Sequence, residues 1–251
     1  MHHTYFTFST GRGILGFLEC AGLLSGKVLD YGSGPGFLTE LLADAGLETH
    51  AADYSPKSVA HIEQKMTGRS NWKGAKLIEN ASTPYPDDSF DLVTCIETIE
   101  HVPNGELASL ISEMRRVLRP GGVLLITTPN AEDLEENLNY CPFCDTEFHR
   151  FQHLRSFKTD DIEQLIAANG MASMLIQVTD LTNFQSQVTL PPWQDFSFRT
   201  ISTIRDWVNF EIIRTLDRLK PRPFPHGREF GFRLGIGAGP SLCALAVKTS
   251  K

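Results

Sequence analysis

Short continuous apolar runs and helically spaced apolar stripes follow one another along this chain, as expected of buried strands covered by helices. Val28 and Leu29 end a first short strand. Phe37, Leu38, Leu41, Leu42 and Ala45 then fall at helical spacing, with Gly46 placed to cap the helix. Thr49 to Ala52 predicts a second strand ending at Asp53, and Val59, Ile62 and Met66 mark a second helix. Leu77 and Ile78 suggest a third strand, and Phe90 to Ile96 is a near-continuous apolar run suited to the centre of a parallel sheet. A stripe of Leu107, Leu110, Ile111, Met114 and Leu118 predicts a helix over about 106–118, with Arg115, Arg116 and Arg119 near the end the macrodipole favours. Pro120-Gly121-Gly122 breaks the chain before a fifth strand, Val123 to Thr128. Ile162, Leu165, Ile166 and Ala168 mark another helix, Met174 to Val178 a sixth strand and Ser241 to Lys248 the last. Residues 1–26 supply an aromatic lead-in (Tyr5, Phe6, Phe8) and a short helix carrying Ile14, Leu15, Phe17 and Leu18.

About sixty residues separate the last two strands, too many for a plain connection, so residues 181–240 are expected to form an inserted subdomain within a domain made of 1–180 and 241–251. Ile201, Ile204, Val208, Ile212, Leu216 and Leu219 line one face of a long helix there, ended by Pro221, Pro223 and Pro225. Trp193, Phe196, Phe198, Trp207, Phe210 and Phe224 make the insertion aromatic, either as its own core or as an apolar lid over a binding site.

The bulk properties narrow the function. With 251 residues, 41% of them hydrophobic, the chain can bury a full core. A formal charge of −7 gives no footprint for strong nucleic-acid binding and favours a small-molecule or protein partner. No apolar run long enough to span a bilayer and no basic-then-apolar leader is found, which leads us to expect a soluble cytoplasmic protein. The five cysteines do not read as a disulfide framework.

Lys27 to Gly36 carries the most specific chemistry. Gly32, Gly34 and Gly36 let the backbone turn tightly after the first strand and approach a ligand. A dinucleotide fingerprint would place its third glycine at position 37, which is Phe37. Asp30, just before the turn, would repel a phosphate but suits a ligand carrying an ammonium and a sulfonium. Asp53 lies at the distance from the turn where an acidic residue accepts hydrogen bonds from ribose hydroxyls.

In its Asp-x-Gly-x-Gly-x-Gly motif the chain resembles the class I S-adenosylmethionine-dependent methyltransferases. Phe90-Asp91-Leu92-Val93 and Leu118-Arg119-Pro120-Gly121-Gly122 extend the resemblance over roughly residues 27–130. It implies a three-layer αβα sandwich: a Rossmann-like, mostly parallel seven-stranded sheet with an antiparallel last strand and, here, a helical insertion before it. It also implies that Asp30 and the turn of Gly32, Ser33, Gly34 and Gly36 hold the methionine part of S-adenosylmethionine, with Asp53 on the ribose and with Phe37 and Ile96 also bordering the cofactor. Tyr54, Asn80 and Ala81 are then expected near the adenine, although many relatives carry Asp where Asn80 stands.

The acceptor side is less specific. Glu97-x-x-Glu100-His101 is shared with quinone-precursor O-methyltransferases, where it lies beside the substrate. It is shared too with enzymes that methylate the terminal ribose 2′-hydroxyl of small RNAs, where it supplies metal ligands. Glu97, His101 and His153 are therefore the candidate catalytic residues, with either histidine able to take a proton from a hydroxyl. Glu97, Glu100, His101 and His153 together could hold a divalent ion. Cys141, Cys144, His149 and His153 form a competing set of zinc-type ligands with knuckle spacing in the first pair. The expected function is methyl transfer to a small-molecule acceptor. A hydrophobic acceptor, reached by the lid or by peripheral membrane contact, is one form of it. Metal-assisted RNA ribose methylation, a non-catalytic S-adenosylmethionine-binding module and a nicotinamide enzyme are the alternatives. The sequence does not set the oligomeric state.

Overall fold

A computed structural model describes residues 6–181 and 240–249. The helix and aromatic residues expected between 182 and 239 lie outside the described residues. In chain order the elements are α1 (Phe6–Cys20), β1 (Lys27–Tyr31), α2 (Phe37–Asp44), β2 (Glu48–Asp53), α3 (Pro56–Met66) and β3 (Trp72–Leu77). There follow β4 (Phe90–Ile96), α4 (Leu107–Val117), β5 (Leu118–Pro129), β6 (Leu138–Cys141), β7 (Thr146–His149), α5 (Thr159–Ala168), β8 (Met171–Thr179) and β9 (Ser241–Lys248). Single 3₁₀ turns occupy Ile99–His101 and Glu135–Asn137.

Seven strands form one sheet in the order β3-β2-β1-β4-β5-β9-β8, with β9 antiparallel to both β5 and β8 and the other neighbours parallel. This is the expected doubly wound sandwich with its antiparallel last strand. Alternation along β1 divides the core: Val28 packs with Ile14, Phe17 and Leu38 on the face covered by α1 and α2, while Leu29 packs with Leu110 and Met114 on the face covered by α4. β1 sits between β2 and β4, so chain order reverses there. In open α/β sheets that reversal opens a crevice at the carboxyl ends of the strands.

Two expectations are corrected. Pro120-Gly121-Gly122 does not precede the fifth strand but bulges within it: Phe90 pairs with Leu118 and Leu92 already with Val123. The third strand runs earlier than expected, with Ile78 just beyond its end. A two-stranded hairpin of β6 and β7 was not expected at all. Among the described residues no helix is long and apolar enough to cross a membrane.

The first turn of α2 depends on Gly36, whose φ is 76° and whose Cβ, if present, would lie 2.8 Å from Ile62 Cγ1 on α3. Gly36→Ala should therefore cost about 1–3 kcal/mol. It should be read as a lower denaturation midpoint at unchanged m, and an unchanged midpoint would contradict the geometry.

Candidate functional site

The glycine turn between β1 and α2 directs its backbone donors into the protein. Gly32 and Ser33 both donate to the Ala52 carbonyl, at 2.8 and 3.1 Å, and Gly36 donates to the Ser33 carbonyl at 3.0 Å. Gly34 donates to Asp53 Oδ2 at 2.7 Å, while Ser55 N–H donates to Asp53 Oδ1 at 2.8 Å. With Pro35 having no N–H, no donor of the turn remains to cradle a phosphate. Gly32 is required twice over, by φ 75° and by Thr98 Oγ1, 2.5 Å from where a Cβ would stand.

In front of this turn lies a cavity of about 470 Å³. Asp30, Gly32, Ser33, Gly34 and Asp53 line one side, and Ile96, Glu97, Thr98 and His101 another. Phe6 and Thr7 of α1 and Tyr54 after β2 complete the wall. Asp30 is buried, its two oxygens accepting from Thr39 Oγ1 at 2.7 Å and Thr94 Oγ1 at 2.9 Å. Burial nonetheless pushes its pKa up to about 6, with the Asp53 charge adding to the effect and the two hydroxyls opposing it. Each Asp53 oxygen keeps a lone pair beyond its backbone donor, so the carboxylate can still accept from a ligand.

At the end of β4 the chain enters Glu97 in a left-handed conformation, φ 46°, fixed by its N–H bond to the Thr127 carbonyl at 3.0 Å. Glu97 Oε1 and Glu100 Oε1 are both shut off from solvent without a hydrogen-bond partner. Burial raises Glu97 to about 7 and, reinforced by the Glu97 charge, holds Glu100 well above the ordinary carboxyl range. Thr128 Oγ1 donates to the other Glu100 oxygen at 3.0 Å. His101 is drawn below its ordinary pKa by burial and by His153, whose ring meets it edge-on at 4.8 Å between centroids. His153 itself lies behind His101, outside the cavity lining, with Nδ1 2.5 Å from Glu132 Oε2.

Several expected site residues are placed elsewhere. The Phe37 ring packs edge-on against Phe8 of α1, centroids 5.1 Å apart, with Lys65 Nζ over its face, because the first residue of α2 points back toward α1. Asn80 and Ala81 line a second cavity, of about 880 Å³, rather than the one before the glycine turn. Both are left-handed, φ 51° and 61°, at the centre of a turn closed by Glu79 and Ser82, and Tyr31 Oη holds the Ala81 carbonyl at 2.9 Å. The zinc set is not assembled either. In the hairpin Cys141 pairs with Thr146 beside the turn and His149 with Leu138 at the opposite end, about 10 Å away along the strand. Among the described residues the two metal-type groups of three are Glu100, His101, His153 and Glu132, His149, His153, with ligand atoms within 4.8 Å of one another; neither includes a cysteine. Thr39, Thr94, Glu132 and Gln152 contribute without having been anticipated, since each acts through a distant tertiary pairing and carries no local motif.

Comparison with known proteins gives a family model described as a methyltransferase domain, matching residues 12–174. A probable S-adenosylmethionine-dependent methyltransferase of Mycolicibacterium smegmatis is 34% identical over 152 residues, 61% of this chain and 53% of that protein. A ubiquinone biosynthesis O-methyltransferase of Idiomarina loihiensis is 36% identical over 120 residues, 46% of this chain and 48% of that protein. The chain thus spans about half the length of the curated relatives it matches. The crystal structure of an S-adenosylmethionine-dependent methyltransferase from Clostridium acetobutylicum shares the fold, with TM-score 0.59 and 14% identity over 96% of this chain and 92% of that one.

The raised Asp30 carboxyl makes a prediction about stability without any ligand. Between its ordinary value of 3.8 and about 6, the folded protein keeps a proton that the unfolded chain has released. This group's contribution therefore weakens stability as pH rises through that window. Comparing wild type with Asp30→Asn by denaturation across the window should show the wild type losing up to about 3 kcal/mol relative to the variant. A pH-independent difference would mean that Asp30 is not perturbed.

Proposed function

The chain belongs to the class I S-adenosylmethionine-dependent methyltransferase family, and we propose that it transfers a methyl group from S-adenosylmethionine to a small, non-anionic acceptor. The observation that carries the reading is the cavity at the sheet's switch point. There Asp30 and Asp53 face a glycine turn whose N–H groups are already satisfied, an arrangement hostile to pyrophosphate and suited to a cationic nucleoside. The same feature counts against a nicotinamide enzyme.

S-adenosylmethionine supplies a methyl group already activated by its sulfonium, so the chain's part is placement and proton removal. Asp53 would accept the ribose hydroxyls with its remaining lone pairs, and Asp30 would set negative charge against the sulfonium and ammonium. Tyr54, half exposed at the cavity rim and edge-on to Tyr31, offers its ring to the adenine. Holding nucleophile and methyl group in line accounts for many powers of ten by itself. His101 lines the cavity and has Nδ1 3.3 Å from the Gln152 carbonyl, an arrangement in which Nε2 is the basic nitrogen able to take the acceptor's proton. The lining includes Asp30, Asp53, Glu97 and Glu106 and, among the described residues, no lysine or arginine. An anionic acceptor such as RNA would meet like charge.

A second reading of the proton-removal step is favoured by the unpartnered buried oxygens of Glu97 and Glu100. Glu100 with His101 and His153, whose ligand atoms lie within 4.8 Å of one another, would suit a divalent ion, which would supply Lewis-acid lowering of a substrate hydroxyl's pKa; Glu97 falls outside that group. Cys141 and Cys144 do not fit such a centre, being at the far end of the hairpin.

Calorimetry with S-adenosylmethionine should show binding by the wild type and its loss in Asp53→Ala; unchanged affinity in the variant would refute the ribose assignment. Since a cation favours ionised Asp30, affinity should weaken as pH falls below about 6 in the wild type but stay level in Asp30→Asn. A radiolabelled methyl-transfer screen should find neutral or amine-bearing acceptors. With such an acceptor His101→Ala should lower kcat about 10²–10⁴-fold at unchanged cofactor affinity. A protein that binds the donor yet transfers nothing across the screen would be a binding module instead.

A further inference from the structure

We infer that Glu132 and the backbone carbonyl of Gln152 set the tautomer of the two histidines beside the acceptor pocket, leaving Nε2 of both His101 and His153 without a proton. The functional meaning rests on the methyl-transfer reading above; the geometry does not.

A carbonyl oxygen can only accept, so His101 Nδ1, 3.3 Å from the Gln152 oxygen, must carry its ring's proton. A carboxylate likewise only accepts, so His153 Nδ1, 2.5 Å from Glu132 Oε2, is the protonated nitrogen of that ring. The third histidine packs against the same anchor. His149 Nδ1 accepts the backbone N–H of His153 at 3.1 Å, which places the His149 proton on Nε2, a buried atom without a hydrogen-bond partner 3.5 Å from Glu132 Oε1. Asn137 Nδ2 donates to that same Oε1 at 3.1 Å. His153 Nδ1 and Asn137 Nδ2 thus meet the one carboxylate from two sides, with His149 Nε2 beside it.

The same contacts build the turn that presents the Gln152 carbonyl. Gln152 is left-handed, φ 62°, with its N–H on the His149 carbonyl at 2.9 Å. Leu154 N–H donates to the Glu100 carbonyl at 2.9 Å, and the Arg155 guanidinium donates to the Val102 carbonyl. The strip from 149 to 155 is thereby fastened at one end to Glu132 and at the other to the 3₁₀ turn that carries His101. Glu132 accordingly acts on His153 directly and on His101 through the turn, as a positioning residue.

The Glu132, His149, His153 group does not itself read as a metal centre. An ion on His149 Nε2 would need that nitrogen bare, and so a proton on Nδ1, where the ring already accepts the His153 N–H. Glu100, His101 and His153, by contrast, share a group, and in the tautomers inferred above neither imidazole Nε2 in it carries a proton. Whether His101 removes a proton unaided or both rings hold a divalent ion, bare Nε2 atoms are the requirement, and an acceptor on Nδ1 is how ligating histidines are oriented.

Long-range proton–nitrogen NMR on the full chain reads the tautomers directly, with His101→Gln and His153→Gln used only to assign the signals. Both rings should show a protonated Nδ1 and a bare Nε2 in the wild type. Glu132→Gln keeps the shape but can accept from one histidine only, so His153, and with it His101, should shift to mixed tautomers, with affinity for S-adenosylmethionine unchanged. With an acceptor from the screen, kcat in Glu132→Gln should fall about 10–100-fold, and Glu132→Asp, which keeps the charge, should recover part of it. A protonated Nε2 on either ring of the wild type, or unaltered tautomers in Glu132→Gln, would overturn the inference. So would Zn²⁺ binding to the wild type that His149→Gln abolishes, since Glu132 and His149 would then be ligands. A wild type with the expected tautomers that transfers no methyl group would instead refute the function and leave the positioning role intact.

Discussion

Satisfying the backbone of one turn constrains most of this molecule. A tight turn at a strand end exposes consecutive N–H groups, which elsewhere make phosphate cradles. Here the donors of Gly32, Ser33 and Gly34 go to the end of β2, two to the Ala52 carbonyl and one to the Asp53 carboxylate. That choice locks β1 to β2 beyond the last ladder pair, orients Asp53, and leaves carboxylates rather than amides facing the cavity. It also brings the turn so close to Thr98 that only glycine fits at position 32, which ties the donor side of the pocket to the chain leaving β4.

What was legible in the sequence was what is local. Runs such as Phe90 to Ile96 announce a strand buried on both faces, and the covering helices show stripes because each buries one face only. Asp30 and Asp53 do line the cavity, and their places were readable because nearness to a strand end and distance from a glycine turn are matters of spacing. Phe37 and Asn80 do not line that cavity, although they stand where expected along the chain. Spacing says where a residue comes, while the direction of its side chain depends on α1 for Phe37 and on a left-handed turn for Asn80. The β6–β7 hairpin was invisible for a different reason. Leu138, Tyr140 and Phe148 remain well exposed, so no polar-apolar alternation marks a buried face.

The acceptor side shows where local motifs mislead. Cys141 and Cys144 have the spacing of a metal knuckle, and His149 and His153 follow within a few residues. Antiparallel register separates them, because a hairpin places residues far from its turn at its open end. Instead the histidines meet Glu132, which follows β5 of the central sheet and carries no signature of its own. His101, on the segment after β4, is joined to the same cluster through a backbone oxygen that no side-chain pattern could indicate.

The charge distribution of the pocket argues for what must enter it. Buried carboxylate oxygens without donors are costly, and the chain leaves two of them, on Glu97 and Glu100, beside a cavity already bordered by Asp30 and Asp53. No lysine or arginine among the described lining residues offsets them. Burial raises Asp30, Glu97 and Glu100 above the ordinary carboxyl range, and a cation beside them would offset that effect. Any bound species carrying positive charge would do so, whether it is the sulfonium on the donor side or an amine or divalent ion on the acceptor side. An anionic acceptor would instead raise them further. Under the proposed methyl transfer, such a lining would discriminate between acceptors by charge, and binding on its two sides should be linked through the protonation of the carboxylates between them.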